Sequence, residues 1–245
     1  MKLPRIFRRV DELSHLQRRP LFHALLGIID SLWEMDSDLE RWHQDFEHKT
    51  PSPFYETKES MLETLADDLE KGKLFPVVFH FPSLLMCHTL LTYWLGQVMV
   101  WYALTNAYRS LTLALDQGAT EKCSCFVTIG WRLQTQCTCQ HSAKVVCIKH
   151  FAVSQLRPLP HREDWPRLAA RNIFQSVKYC LQDEMLGLGP TTVVAALMFT
   201  VFRLWNHAGD WRRELVWADA VMGKIHGLGY SLFTNFHAQR QIACN

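Results

Sequence analysis

Residues 84–104, LLMCHTLLTYWLGQVMVWYAL, decide how the chain is read. Their setting is a wider segment, residues 74–108, without a single Asp, Glu, Lys or Arg. The run is long enough to cross a bilayer. His88, Thr92 and Gly96, however, recur four apart and lay a weaker, polar-to-small seam along one face, with Gln97 and Asn106 adding polar groups. Pro76 and Pro82 precede it, and Lys71, Lys73 and Arg109 flank it without an orientation bias. A helix apolar nearly all round is what a helical bundle needs at its centre, so the expectation is a buried helix and no membrane partner.

The flanking segments carry the same period. Leu25, Ile28, Ile29, Leu32, Met35, Leu39, Trp42 and Phe46 recur at three-to-four spacing, predicting an amphipathic helix from Leu21 to about His48. Arg19-Pro20 precedes it, and Thr50-Pro51-Ser52-Pro53 breaks it. Residues 59–70 read as an acidic, solvent-facing helix, and Ser83 as the N-cap of the long apolar one.

Further on, Asp164-Trp165-Pro166 is a helix start with Pro in the first turn, and Ala170, Ile173, Val177, Leu181 and Met185 line one face. Leu186-Gly187-Leu188-Gly189-Pro190 closes that helix and opens another, in which only Arg203 is charged, so a central position is expected. After Ala208-Gly209-Asp210, Leu215, Ala218, Met222 and Ile225 form a last stripe, ended by Gly227 and Gly229.

No segment shows a convincing period-2 strand. The expected fold is all-α: a single domain over residues 1–245, an irregular helical bundle with one long insertion at about 118–160. That insertion holds five of the eight cysteines and no helical period.

Composition sets the outer limits. With 245 residues, 48% of them hydrophobic and nine Trp, the chain can bury a real core. A formal net charge of +2 argues for neither a nucleic-acid binder nor an acidic-surface protein. No apolar stretch of signal-peptide length follows the basic residues 1–10, so reduced cysteines in the nucleus or cytoplasm are expected.

Three segments resemble the C-terminal, non-DNA-binding regulatory region of fungal zinc-cluster (Zn2Cys6-type) transcription factors. They are Phe81-x-Ser83-Leu84 followed by Tyr93-Trp94; Ala170-x-x-Ile173-x-x-Ser176-x-x-Tyr179-x-Leu181 followed by Gly187 and Gly189; and Trp211-x-x-Glu214-Leu215-x-Trp217 followed by Ile225 and Gly229. They span about two-thirds of the chain, with residues 118–160 outside. The resemblance implies a helical regulatory domain acting through protein contacts, in the control of a secondary-metabolism gene cluster, and favours the nucleus. It carries no catalytic residue. The six-cysteine zinc cluster of such factors has no counterpart here, so no sequence-specific nucleic-acid binding by this chain alone is expected. The second reading is a metabolic enzyme on a helical scaffold.

Chemistry-bearing residues point to no site. Cys123-x-Cys125, Cys137-x-Cys139-x-His141 and Cys147-x-x-His150 offer zinc-type ligands, but with one residue inside the cysteine pairs where structural sites have two to four. A reduced loop without metal is expected. Asp67-Asp68 invites comparison with the metal-binding aspartates of helical terpene cyclases, yet Asn172 and Ser176 are off the spacing a second motif needs. The segment Gly187 to Thr192 sets glycines and hydroxyls at a helix start, where anions bind, but lacks the lysine of a phosphate loop. His88 reads as a core imidazole. Arg5, Arg8, Arg9, Arg18 and Arg19, mixed with Asp11 and Glu12, read as a solvated face. No catalytic, cofactor or metal residue is therefore assigned, and no enzyme activity is expected.

Overall fold

A computed structural model describes residues 18–60, 67, 72–118, 125–127, 145–147, 156–159, 164–185, 187–205 and 211–229. Five helices dominate: α1 (Arg18–Lys49), α2 (Leu84–Gly118), α3 (Asp164–Cys180), α4 (Gly189–Trp205) and α5 (Arg212–Gly227). The fold is mostly α-helical.

Beside the helices stand two short strand pairs, neither of which has a period-2 signature in the sequence. β1 (Glu56–Glu59) pairs antiparallel with β2 (Val77–His80), Glu56 opposite His80 and Glu59 opposite Val77. All four β1 side chains are exposed, whereas Val78 and Phe79 of β2 are buried. Only one strand of the pair therefore touches a core, and four residues cannot display alternation. β3 (Cys125–Val127) and β4 (Val145–Cys147) form a second antiparallel pair inside the segment expected to lack regular structure. Its sequence supplies the reason: Phe126-Val127 and Val145-Val146 are aromatic and β-branched.

The acidic helix expected over residues 59–70 is corrected at its described positions. Glu59 ends β1, and Asp67 is not helical: its carboxylate accepts the Leu74 backbone N–H at 2.9 Å. The rest of that stretch lies outside the described residues.

Two compact units are present, Met1–Trp42 with Met99–Asp164, and His43–Val98 with Trp165–Asn245. In the first, Phe22, Leu25, Ile29 and Leu32 of α1 form a core with Val100, Leu104 and Leu111 of α2 and with Leu156. Trp33 Nε1 donates to Tyr108 Oη (3.1 Å), Tyr108 Oη donates to the Arg157 carbonyl (2.6 Å), and the Arg157 guanidinium lies 4.0 Å over the Trp33 ring. A short non-helical stretch is thus tied to both helices through one tyrosine.

The second unit is built on aromatic rings. Phe75 contacts Phe174 of α3 and Trp217 of α5, and Phe79 stacks on Tyr55 and meets Trp94 of α2. Ser83 caps α2 as expected, accepting the Met86 N–H at 3.2 Å. Along α2, Thr89, Thr92, Thr105 and Thr112 each donate to the carbonyl four residues back, which satisfies their hydroxyls within the helix.

α2 is, among the described residues, the one helix long and apolar enough to cross a membrane (Leu84–Leu115), and half of its apolar window is buried. Its polar seam is real: His88 and Thr92 are exposed, beside Leu85. The core placement expected for the His88 imidazole is therefore corrected. The seam turns His88 outward while Cys87, Leu90 and Leu91 turn in.

Candidate functional site

Four short segments of the second unit converge on an open groove of about 1000 Å3. β2 ends there with His80, Phe81 and Pro82. The last turn of α3 supplies Lys178 and Tyr179, and the chain continues through Leu181 and Gln182 into a 3-10 turn, Asp183–Met185. The end of α5 adds Lys224 and Leu228.

The groove exists because α3 must stop. Leu186 to Pro190 cannot prolong it, and Gly189 lets α4 start hard against its end: a Cβ there would lie 2.0 Å from the Cys180 carbonyl oxygen. Gly187 has no such neighbour within 4 Å. The hydroxyls of Thr191 and Thr192 both donate to the Leu188 carbonyl at 2.8 Å, so the donors read as an anion cradle serve the helix–helix turn instead.

Polar groups in the groove are sorted by depth. Tyr179 is 2% exposed, and His80, Lys178 and Gln182 are half-buried. Asp183, Glu184 and Lys224 stand exposed on the rim. Rings form the wall, with His80 edge-on to Tyr179 at 5.4 Å and Phe81 at 5.2 Å. Burial, and then the Cys87 and Cys180 sulfurs behind it, hold the Tyr179 phenol above its usual pKa, so it stays protonated. Among the described residues, neither Tyr179 Oη nor Lys178 Nζ has a hydrogen-bond or ion-pair partner.

A second feature lies on α4. Val193, Val194, Ala196, Leu197, Thr200, Val201 and Leu204 face inward, as the expectation of a central helix requires. That expectation is corrected on the other side. Leu188 (69% exposed), Thr191, Ala195 and Phe202 (54% exposed) stand in solvent, with Met198 half-buried between them. Their spacing is 3-4-3-4, the seam of a helix that meets another helix. No Asp or Glu lies on α4, and Arg203 covers the rings of Phe199 and Phe202 at 4.6 and 5.5 Å.

The other motifs are not brought together. Asp67 is engaged with Leu74, while Asp68 lies outside the described residues. Ser176 is buried and donates to the Asn172 carbonyl at 2.7 Å. Of the zinc-type ligands, Cys123, Cys137, Cys139, His141 and His150 lie outside the described residues, as do Arg5, Arg8 and Arg9. For Cys125 and Cys147 only the backbone is described, and the β3–β4 register sets them directly opposite each other. Among the described residues no group of three or more His, Cys, Asp or Glu gathers to hold a metal ion.

Sequence reading missed both the groove and the exposed α4 face. The groove draws on positions from His80 to Leu228, which no local spacing links. The α4 stripe follows a heptad spacing, but apolar residues on the rest of the helix give it the same look as core in the sequence.

No protein-family model, curated protein or solved structure matches the chain.

Proposed function

We propose that the chain is a regulatory module that works through protein contacts, of the kind that follows the zinc cluster in fungal transcription factors, and that it acts in the nucleus on a secondary-metabolism gene cluster. The observation that carries this reading is the exposed seam of Leu188, Thr191, Ala195, Met198 and Phe202 on α4. An apolar stripe of this kind exposed to water marks an interaction surface.

Its spacing fits one occupant, an amphipathic helix of a partner protein laid along α4. The only charge on α4 is Arg203, so the partner helix should carry acidic residues beside its apolar stripe. The residues that carry the family resemblance support the reading in a second way. Phe81, Tyr93, Trp94, Ala170, Ile173, Trp211, Leu215, Trp217 and Ile225 are buried, so most of the residues behind the resemblance are packing positions, while Ser83, Gly187 and Gly229 are exposed. In this reading α2 is an internal helix, which its half-buried apolar window favours.

The test tethers the chain to a heterologous DNA-binding domain beside a reporter gene. Wild-type chain should change reporter output, and Phe202→Glu with Met198→Glu should abolish the change while helix content and melting temperature hold. Unaltered output with the wild-type chain would overturn the proposal. A concentration-dependent dimer broken by Phe202→Glu would instead assign the seam to self-association.

A further inference from the structure

The groove between the end of α3 and the end of α5 has a polarity that the protein-contact reading does not use. We propose that it is a binding site for a small aromatic carboxylate, with the carboxylate held by Tyr179 Oη and Lys178 Nζ and the ring against the wall of His80, Tyr179 and Phe81. This inference stands independently of the α4 seam.

Three observations carry it. First, the Tyr179 ring is packed in the groove wall, with the residue only 2% exposed, while its hydroxyl is open to the groove's water and has no hydrogen-bond partner among the described residues. A hydroxyl held in place by a packed ring and facing the groove is a positioned donor for an acceptor bound there. A ligand acceptor in the groove supplies the missing partner.

Second, depth separates the signs of charge. Lys178 is the half-buried charge of the groove wall, and no carboxylate of a described residue pairs with it. The groove's own carboxylates, Asp183 and Glu184, are on the exposed rim, where water screens them. His80 and Gln182 add donor capacity at the same half-buried depth. The inner wall is therefore rich in donors and suits an anion better than a cation.

Third, the surrounding surface is apolar and aromatic. Phe81, Pro82, Leu181, Met185 and Leu228 line the groove beside the edge-to-face rings of His80 and Tyr179. Edge-to-face and offset contacts favour a flat ring over an aliphatic chain of equal area. The volume, about 1000 Å3, exceeds what one ring needs, so the natural ligand should be larger than the smallest member of the class.

Binding to the full chain is measured by titration calorimetry or ligand-observed NMR with benzoate, benzylamine and inorganic phosphate as probes. Benzoate should bind saturably, in the sub-millimolar range, and at least about tenfold more tightly than either of the others. Tyr179→Phe should weaken benzoate by about tenfold or more, the usual effect of losing a hydrogen bond to a charged group. Its melting temperature should hold or rise, since the hydroxyl has no partner to lose. Lys178→Met should weaken benzoate similarly. Benzylamine binding as tightly as benzoate would overturn the carboxylate, and phosphate doing so would overturn the aromatic ring. Absence of saturable benzoate binding, or full affinity in Tyr179→Phe, would overturn the site.

Discussion

The Sγ atoms of Cys87, in the first turn of α2, and Cys180, the last residue of α3, lie 3.5 Å apart with both side chains fully buried. Each is a free thiol, and the pair shares a hydrogen bond. That bond, together with burial and the neighbouring sulfur, pushes the Cys87 pKa well up. The thiolate is the reactive form, so Cys87 is chemically quiet in the folded chain, and full burial keeps reagents from Cys180.

Iodoacetamide should therefore spare Cys87 and Cys180 in the native protein at pH 8 and label both once the chain is unfolded, as read by peptide mass spectrometry. A pH dependence follows. The folded chain keeps the Cys87 proton where the unfolded chain releases it, near the ordinary value of 9.0. Stability is then complete below that pH and falls as the pH rises past it. Cys87→Ala should flatten this alkaline decline while costing roughly 1 kcal/mol at neutral pH for the lost contact.

Tyr108 joins two helices to the stretch at Arg157, accepting from Trp33 and donating to the Arg157 carbonyl. Tyr108→Phe leaves the Trp33 indole N–H, in a side chain only 6% exposed, without its acceptor. The expected cost is about 1–3 kcal/mol in urea unfolding, typical for an orphaned buried donor. Arg157→Gln keeps the carbonyl and loses only the cation–π contact, so it should cost about 0.5–1 kcal/mol. The order of the two effects is the check.

Where the sequence carried its own period, the fold was legible in it. Leu25, Ile28, Ile29 and Leu32 recur as helical neighbours and are all buried; Ser83 caps α2; Asp164 opens α3; Leu215, Ala218, Met222 and Ile225 all face inward. Strand β1, Glu-Thr-Lys-Glu, was not legible, because every side chain on it faces water and nothing alternates. The groove was illegible for a different reason. Tyr179 reads as one more position on an α3 stripe, and its unpaired hydroxyl is a property of what surrounds it in space.

His23, on the first turns of α1, is held below its ordinary pKa of 6.5 by burial. The folded chain resists taking up a proton that the unfolded chain accepts. Stability from this residue is therefore complete above pH 6.5 and is lost as the pH falls below it. Thermal melts at pH 7.5 and 5.5 should show a larger drop for the wild type than for His23→Gln. Comparing the two proteins cancels the remaining titrating groups. Equal drops would show that the unfolded and folded imidazoles titrate alike.

Gly187 and Gly189 read identically in the sequence, two glycines in one helix–helix turn, and the structure separates them. At Gly187 a Cβ meets nothing within 4 Å, whereas at Gly189 it would sit 2.0 Å from the Cys180 carbonyl oxygen and 2.8 Å from Met185 Cβ. The first clash is with backbone at the end of α3, which cannot move aside as a flexible side chain would. To relieve it, α4 must retreat from α3, and α4 buries Val193, Leu197 and Val201. Gly189→Ala should cost about 3 kcal/mol or more, the upper range for overpacking, and should enlarge the groove beside Tyr179. Gly187→Ala should change stability by less than about 1 kcal/mol, with the loss of glycine's unfolded-state freedom working in its favour. Chemical denaturation of the two variants side by side tests the assignment, and equal midpoints would mean that α3 and α4 do not approach as closely as the Cys180–Gly189 geometry requires.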